Sequence, residues 1–220
     1  MFLGHIAVGF ASKRAAPKAS LGVLMTAPLL LDLLWPLFLA LGVEQVRIAP
    51  GTTAFSPLDF VNYPWTHSLF MALAWASLFM LVVLARTGYA SGAFWVGMGV
   101  ASHWVLDWVS HRPDMPLVPW SPVKVGLGLW NSVPATLVVE STMFVAGLAL
   151  YLATTRAKRW TGHLALWSFV GLLVLAYVGS VAGPPPPSVR ALGTVGLISW
   201  IFVPWAFWID RTREVRPSAA

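Results

Sequence analysis

Apolar residues run along this chain in long blocks: Ala19 to about Val43, His67 to Leu84, Phe94 to Ser110, Pro134 to Leu152, Leu164 to Val181 and Ala191 to Trp208. Each block is about as long as a helix needs to cross a hydrocarbon core of roughly 30 Å. Between them stand the usual breakers. Glu44 to Trp65 carries Pro50, Gly51, Pro57, Asp59, Asn62 and Pro64, Gly88 and Gly92 mark a short connection, and the Arg112 to Ser132 stretch is again rich in Pro and Gly. Pro113 predicts a helix stop shortly after His111, and the four prolines from Pro184 to Pro187 predict a stiff extended link. The pattern predicts an all-α, polytopic membrane helical bundle of about six transmembrane helices.

A further apolar segment precedes them. Residues 2–12 would make a helix of about 16 Å, too short to cross, so a half-span or interfacial helix is expected there. Its apolar residues come before Lys13 and Arg14, the reverse of a secretory signal, so it is expected to be retained. Thr66 is the expected N-cap of the second span, with His67 in its first turn. Residues 1–210 read as a single integral-membrane helical domain, and residues 211–220 as a short basic, polar, disordered cytoplasmic tail.

Composition agrees with a lipid environment. Hydrophobic residues make up 58% of the chain and charged residues 10%, with a mean hydropathy of +0.74. The formal charge of +6 would point to nucleic acid in a soluble protein, but here the basic residues flank apolar blocks, so no nucleic-acid partner is expected. There is no cysteine, which leaves His, Asp and Glu as the strong side-chain metal ligands. The tryptophans of the Arg112 to Ser132 loop, Trp120 and Trp130, read as an interfacial belt, and His163 as an interfacial residue.

Polar groups within the blocks change the picture more. In HWVLDWVSH, residues 103–111, steps of four residues put His103, Asp107 and His111 along one helical face. Asp32 lies deep in the first span and Glu140 two turns inside the fourth. An aspartate at mid-span costs roughly 2.5 to 3.5 kcal/mol, so each such group wants a cation, a metal or a donor. Counting Lys and Arg on alternate sides of six spans sets Lys13, Arg14, Lys18, Arg86, Arg156, Lys158, Arg159, Arg211, Arg213 and Arg216 against Arg47, Arg112, Lys124 and Arg190, which predicts cytoplasmic termini. On that topology Asp32, His67, His103, Asp107 and Glu140 fall in one layer of the outer half-membrane, and His5 reaches it only if the N-terminal half-helix rises into the bilayer.

These residues carry a resemblance. Gly4-His5, Asp32 with Pro36 after it, Thr66-His67-Ser68-Leu69, and His103-x-x-x-Asp107 followed by PDMPLVPWSP resemble membrane-bound metal-dependent hydrolases, the group also called LexA-binding, inner-membrane-associated hydrolases. The ordered His and Asp pattern is also similar to that of zinc-dependent phospholipase C. The resemblance covers roughly the first 125 residues. It implies His5, Asp32, His67, His103 and Asp107 as metal ligands and a location in a bacterial inner membrane. This chain departs from the pattern at Asp32, which is followed by Leu33 and Leu34 rather than an Asp-x-Asp-His cluster, and at Tyr63-Pro64-Trp65, where the family has His-Arg.

Imidazole and carboxylate ligands suit zinc, with manganese or iron as other occupants, as one ion or two. The expected chemistry is metal-assisted hydrolysis of an ester or phosphoester in a lipid-like or small-molecule substrate. Glu140 is the expected general base or further ligand, and His111 an acid or a partner of the ligands. The same buried groups would also serve a proton or divalent-metal transporter or channel, and His67 with His103 a bis-histidine haem.

Overall fold

The computed structural model describes residues 1–217. Helix α1, Leu3–Ala15, buries residues on every side, among them His5, Ile6, Gly9, Phe10 and Lys13. A helix that is apolar all round belongs inside a bundle, and α1 is packed within protein as the half-span requires. It lies against α2, Leu21–Ala40, and against α5 and α6, Ala90–Ser110 and Val133–Thr154. At its lower end Lys13 Nζ donates to Asp210 Oδ1 at 2.8 Å and to the Ala19 carbonyl at 2.7 Å.

Side-chain caps start most of the long helices. Ser20 accepts from the Val23 amide at the head of α2, and Ser132 from Ala135 at the head of α6. Between α2 and α5 come a single helical turn, α3, Pro64–His67, and then α4, Leu69–Thr87. Ser68, not Thr66, caps α4: its backbone is extended and its hydroxyl accepts from the Met71 amide, while the Thr66 hydroxyl is engaged elsewhere. His67 therefore closes a separate turn rather than opening the span. Gly88, at φ +64°, ends α4 in the left-handed conformation, with its amide on the Leu84 carbonyl. The last two spans are α7, Trp160–Ala182, and α8, Val189–Thr212, whose middle tightens into a 3-10 turn at Ser199–Ile201.

Five helices among the described residues, α2, α4, α6, α7 and α8, are long and apolar enough to cross a membrane, against the six expected. The one that falls short is α5. At 21 residues it has the length, but Ser, Gly, His103 and Asp107 dilute its apolar content. Its His103 and Asp107 face the site, while Phe94, Trp95, Met98 and Val105 stay exposed on its outer side.

Strand pairs β1, Gln45–Ile48, with β2, Leu58–Asn62, and β3, Met115–Pro116, with β4, Lys124–Val125, fold the two long loops over one end of the bundle. Trp130, half-buried, makes a contact within the protein. It packs against His111, ring centroids 4.3 Å apart and planes tilted by 36°, within this roof, whereas Trp120 is exposed. At the opposite end β5, Thr155–Ala157, pairs with β6, Arg213–Val215, so the tail expected to be disordered contributes a strand. Residues 218–220 of that tail lie outside the described residues.

Two apolar clusters fill the bundle. One gathers Phe10, Phe144, Tyr151, Phe169 and Leu173 between α1, α6, α7 and α8, and the other gathers Leu24, Leu31, Val96, Val100 and Trp104 between α2, α4 and α5. The polar side chains predicted as ligands meet where the two adjoin.

Candidate metal centre

His5 comes from α1, Asp32 from α2, His67 from α3, and His103 and Asp107 from α5. The two α5 groups share a face because four residues advance a helix by little more than one turn, and His103 Nε2 lies 3.0 Å from Asp107 Oδ2. His67 Nε2 faces His103 Nε2 at 3.3 Å, Asp32 Oδ1 at 3.5 Å and Asp107 Oδ2 at 3.8 Å. Asp32 Oδ1 is 3.8 Å from His103 Nε2. His5 lays its ring on that of His103, centroids 3.9 Å apart and planes 3° from parallel, with its Nε2 3.1 Å from Asp107 Oδ1. The Met1 backbone nitrogen also lies on Asp107 Oδ1, at 2.5 Å. Two triads result, His5, His103 and Asp107, and Asp32, His67 and His103, each with ligand atoms within 4.8 Å of one another.

Hydrogen bonds behind the rings fix which nitrogens point inward as lone pairs. His103 Nδ1 is 2.7 Å from the Pro28 carbonyl, which only accepts, so Nδ1 carries the proton and Nε2 is bare in the neutral ring. His67 Nδ1 is 2.7 Å from Thr66 Oγ1. That hydroxyl gives its own proton to Glu44 Oε2 at 2.7 Å, so it accepts from His67, and His67 Nε2 is bare as well. Glu44 Oε1 accepts the Trp65 and Thr66 amides at 2.9 and 2.8 Å, which locks the turn that carries His67. Burial pushes the Glu44 carboxyl above the usual carboxylate range, and the Thr66 donations and His67 pull it partly back.

Helix α2 brings Asp32 to the cluster between two internal prolines. Pro28 and Pro36 each remove an intrahelical bond, and the one lost to Pro36 is that to the Asp32 carbonyl. Asp32 is the one ligand candidate not fully enclosed: its side chain keeps 44% of its exposure, while the other four residues are buried.

Glu140 and His111, expected as base or further ligand and as acid or partner of the ligands, stand outside the two triads and make other contacts. Glu140 Oε2 accepts the Phe2 and Leu3 amides at 2.9 and 2.7 Å and the Gly4 amide at 3.4 Å. It caps the buried N-terminus of α1, where those amides have no partner within the helix and the dipole favours an anion. Its Oε1 is buried without a partner. His111 Nδ1 bonds Asp114 Oδ1 at 2.9 Å, beside a 3.1 Å donation from the Tyr63 hydroxyl to the same oxygen. Phe60 and Trp130 sandwich its ring in the roof. Burial, with the Asp114 and Asp107 carboxylates nearby, raises the Tyr63 phenol well above its usual range, so it stays a donor. Neither Glu140 nor His111 belongs to a group that could share an ion among the described residues.

Sequence reasoning missed Glu44, Thr66 and the Pro28 carbonyl. Thr66 stood directly before His67 but read only as a helix cap, and Glu44, distant in the sequence, was one more acid in a polar loop. Comparison with protein-family models, curated proteins and solved structures finds no match to this chain, so the reading of the centre rests on its own geometry.

Proposed function

We propose that this chain is a membrane-embedded, metal-dependent hydrolase acting on an ester or phosphoester of a lipid-like substrate. One observation carries the reading. His67 Nε2, His103 Nε2, Asp107 Oδ2 and Asp32 Oδ1 converge as lone-pair atoms, and the partners behind both rings leave no proton of the neutral imidazoles to share among them. Such an arrangement asks for a cation, and for His and carboxylate donors with no thiolate the fitting ion is zinc, with manganese or iron(II) next.

His67, His103, Asp107 and Asp32 would hold the ion, with His5 completing a second triad around Asp107. A divalent ion supplies the Lewis acidity that makes water a nucleophile near neutral pH. The chain's own residues do the rest: Thr66 and the Pro28 carbonyl set the tautomer of both imidazoles and hold the rings turned, His5 fixes one oxygen of Asp107, and the buried rings exclude bulk water. Asp32, open on one side, is where substrate would arrive. The distribution of basic residues supports a cytoplasmic side at the Lys13 end of α1 and the Arg211 end of α8, with the two-loop roof on the outer side, and the resemblance implies a bacterial inner membrane.

Elemental analysis of untagged protein purified in detergent tests the reading. The expected result is one or two equivalents of a transition metal, lost with His103→Ala or Asp107→Ala, and metal-restored hydrolysis of a lipid ester or phosphoester. Metal-free protein whose thermal stability is indifferent to chelator overturns it. Zinc flux into liposomes without hydrolysis would move the same cluster to transport, and a Soret band would move His67 and His103 to haem.

A further inference from the structure

Beside Asp32 the wall of the bundle is open. A cavity of 440 Å³ lies between α2, α7 and α8, walled by Trp35, Leu172, Val195, Ile198 and Phe202, with Asp32 as the only charged residue on its lining among the described residues. A second cavity, of 470 Å³, adjoins it toward the roof and shares Phe2, Ser180 and Leu192 with it. This upper one is bounded by the β1–β2 loop, including Thr53 and Ser56, and by the proline link at Pro184. Both are of the size that ligand sites usually have.

We propose that the two cavities form one binding site for a single membrane lipid, its acyl or other alkyl chain in the lower cavity and its head in the upper one. Phe2, Ser180 and Leu192, shared by the two cavities, mark the join, and Asp32 lines the lower one. Three observations support this occupant. The walls belong to membrane-spanning helices, and their neighbours Leu175, Val195 and Ile198 expose broad apolar surface, so whatever enters sideways comes from the bilayer. The lower lining is apolar apart from Asp32, Ser180 and Ser199, and the upper one adds Thr53, Ser56 and loop backbone, the polarity gradient of an amphiphile. The carboxylate on the lower lining is itself part of the candidate metal centre, 3.5 Å from His67. Chemistry on the bound lipid rests on the hydrolase reading; the binding does not.

Photolabelling tests it. The full chain is reconstituted in vesicles of phosphatidylethanolamine and phosphatidylglycerol doped with a phospholipid bearing a diazirine on its acyl chain, irradiated, digested and mapped by mass spectrometry. Label is expected to concentrate on α7 and α8 around Ala176 and Val195, above its level on the exposed face of α4 at Leu73 and Leu81. Ala176→Trp and Val195→Trp, on two different walls and outside the ligand set, should each lower labelling of Trp35 and Pro36 by about fivefold or more with metal content unchanged. If one variant does not fold, the other carries the test. Equal labelling of α4, α7 and α8, or labelling at Trp35 that both tryptophans leave unmoved, overturns the site. Concentrated label in a protein without metal supports the lipid site and overturns the hydrolase reading, whereas bound metal with evenly spread label does the opposite.

Discussion

His67 and His103 face one another through Nε2 atoms 3.3 Å apart, each with its other ring nitrogen already spent on a partner outside the cluster. Two bare nitrogens at that distance repel unless a cation or an added proton lies between them and the carboxylates. Metal is therefore expected to stabilise the fold. Zinc at about 100 times its dissociation constant contributes about 2.7 kcal/mol, which should appear as a raised Tm in detergent. Removing either imidazole, as in His67→Ala or His103→Ala, should abolish that rise. A Tm that ignores zinc in the unsubstituted protein would contradict the metal centre.

The chain from Glu44 through Thr66 to His67 is a positioning device. Thr66→Val removes the acceptor for His67 Nδ1, frees the ring to turn, and should weaken zinc affinity by about 10- to 100-fold in competition with a chelator, with Thr66→Ser restoring it. Unchanged affinity in Thr66→Val would show the hydroxyl to be incidental.

Glu44 also has a pH signature. Its folded carboxyl titrates above the ordinary range, so in the window just above that range the native state keeps a proton that the unfolded state has released. The Glu44 contribution to stability therefore falls as pH rises through the window. Glu44→Gln should flatten that slope in thermal unfolding followed across pH. A slope identical in both proteins would assign it to another group.

Glu140 holds α1 by its amides, and through α1 it holds His5 over His103. Glu140→Ala leaves buried amides without an acceptor at a cost of about 1 to 3 kcal/mol or more, and Glu140→Gln, which keeps an oxygen, should recover a large part. Hydrogen exchange at Phe2, Leu3 and Gly4 should rise in Glu140→Ala. If exchange there stays slow and zinc affinity falls as far as in His103→Ala, Glu140 is a ligand rather than a cap.

How much of this was legible follows from the cost of polarity in lipid. A histidine or aspartate inside an apolar block is expensive enough to mark itself, which is why His5, Asp32, His67, His103 and Asp107 could be picked out and are found together. Glu140 marked itself in the same way, yet its role was hidden, because an acid that caps a helix start and an acid that serves a metal look alike until α1 is placed against α6. In the loops polarity costs nothing, so Glu44 was indistinguishable from its neighbours and Thr66 read as a cap rather than as the partner of His67. The same limit explains Ser68 against Thr66 as the cap of α4: both fit, and the choice depends on Glu44 taking the Thr66 hydroxyl. Helix α5 read as a span by length, and only its packing shows that it faces α2 and α4 with its polar residues inward.

The approach of α1 to α6 gives a final test of whether the centre depends on the half-helix. Gly147 sits against the backbone of Ala7, so closely that a Cβ there would strike the Ala7 carbonyl and Cα, both backbone atoms with no freedom to move aside. Small residues at such points let membrane helices approach, and packing rather than hydrophobicity then holds them together. Gly147→Ala should push α1 away from α6 and cost about 1 to 3 kcal/mol. Because Glu140 lies on α6 and His5 on α1, the same shift should strain both the cap and the His5–Asp107 contact. The expected outcome is a lower Tm together with weaker zinc binding. Gly171→Ala, on α7 with open space beside it, should change neither. A Gly147→Ala protein that loses stability but binds zinc normally would show that His67, His103, Asp107 and Asp32 hold the ion without His5.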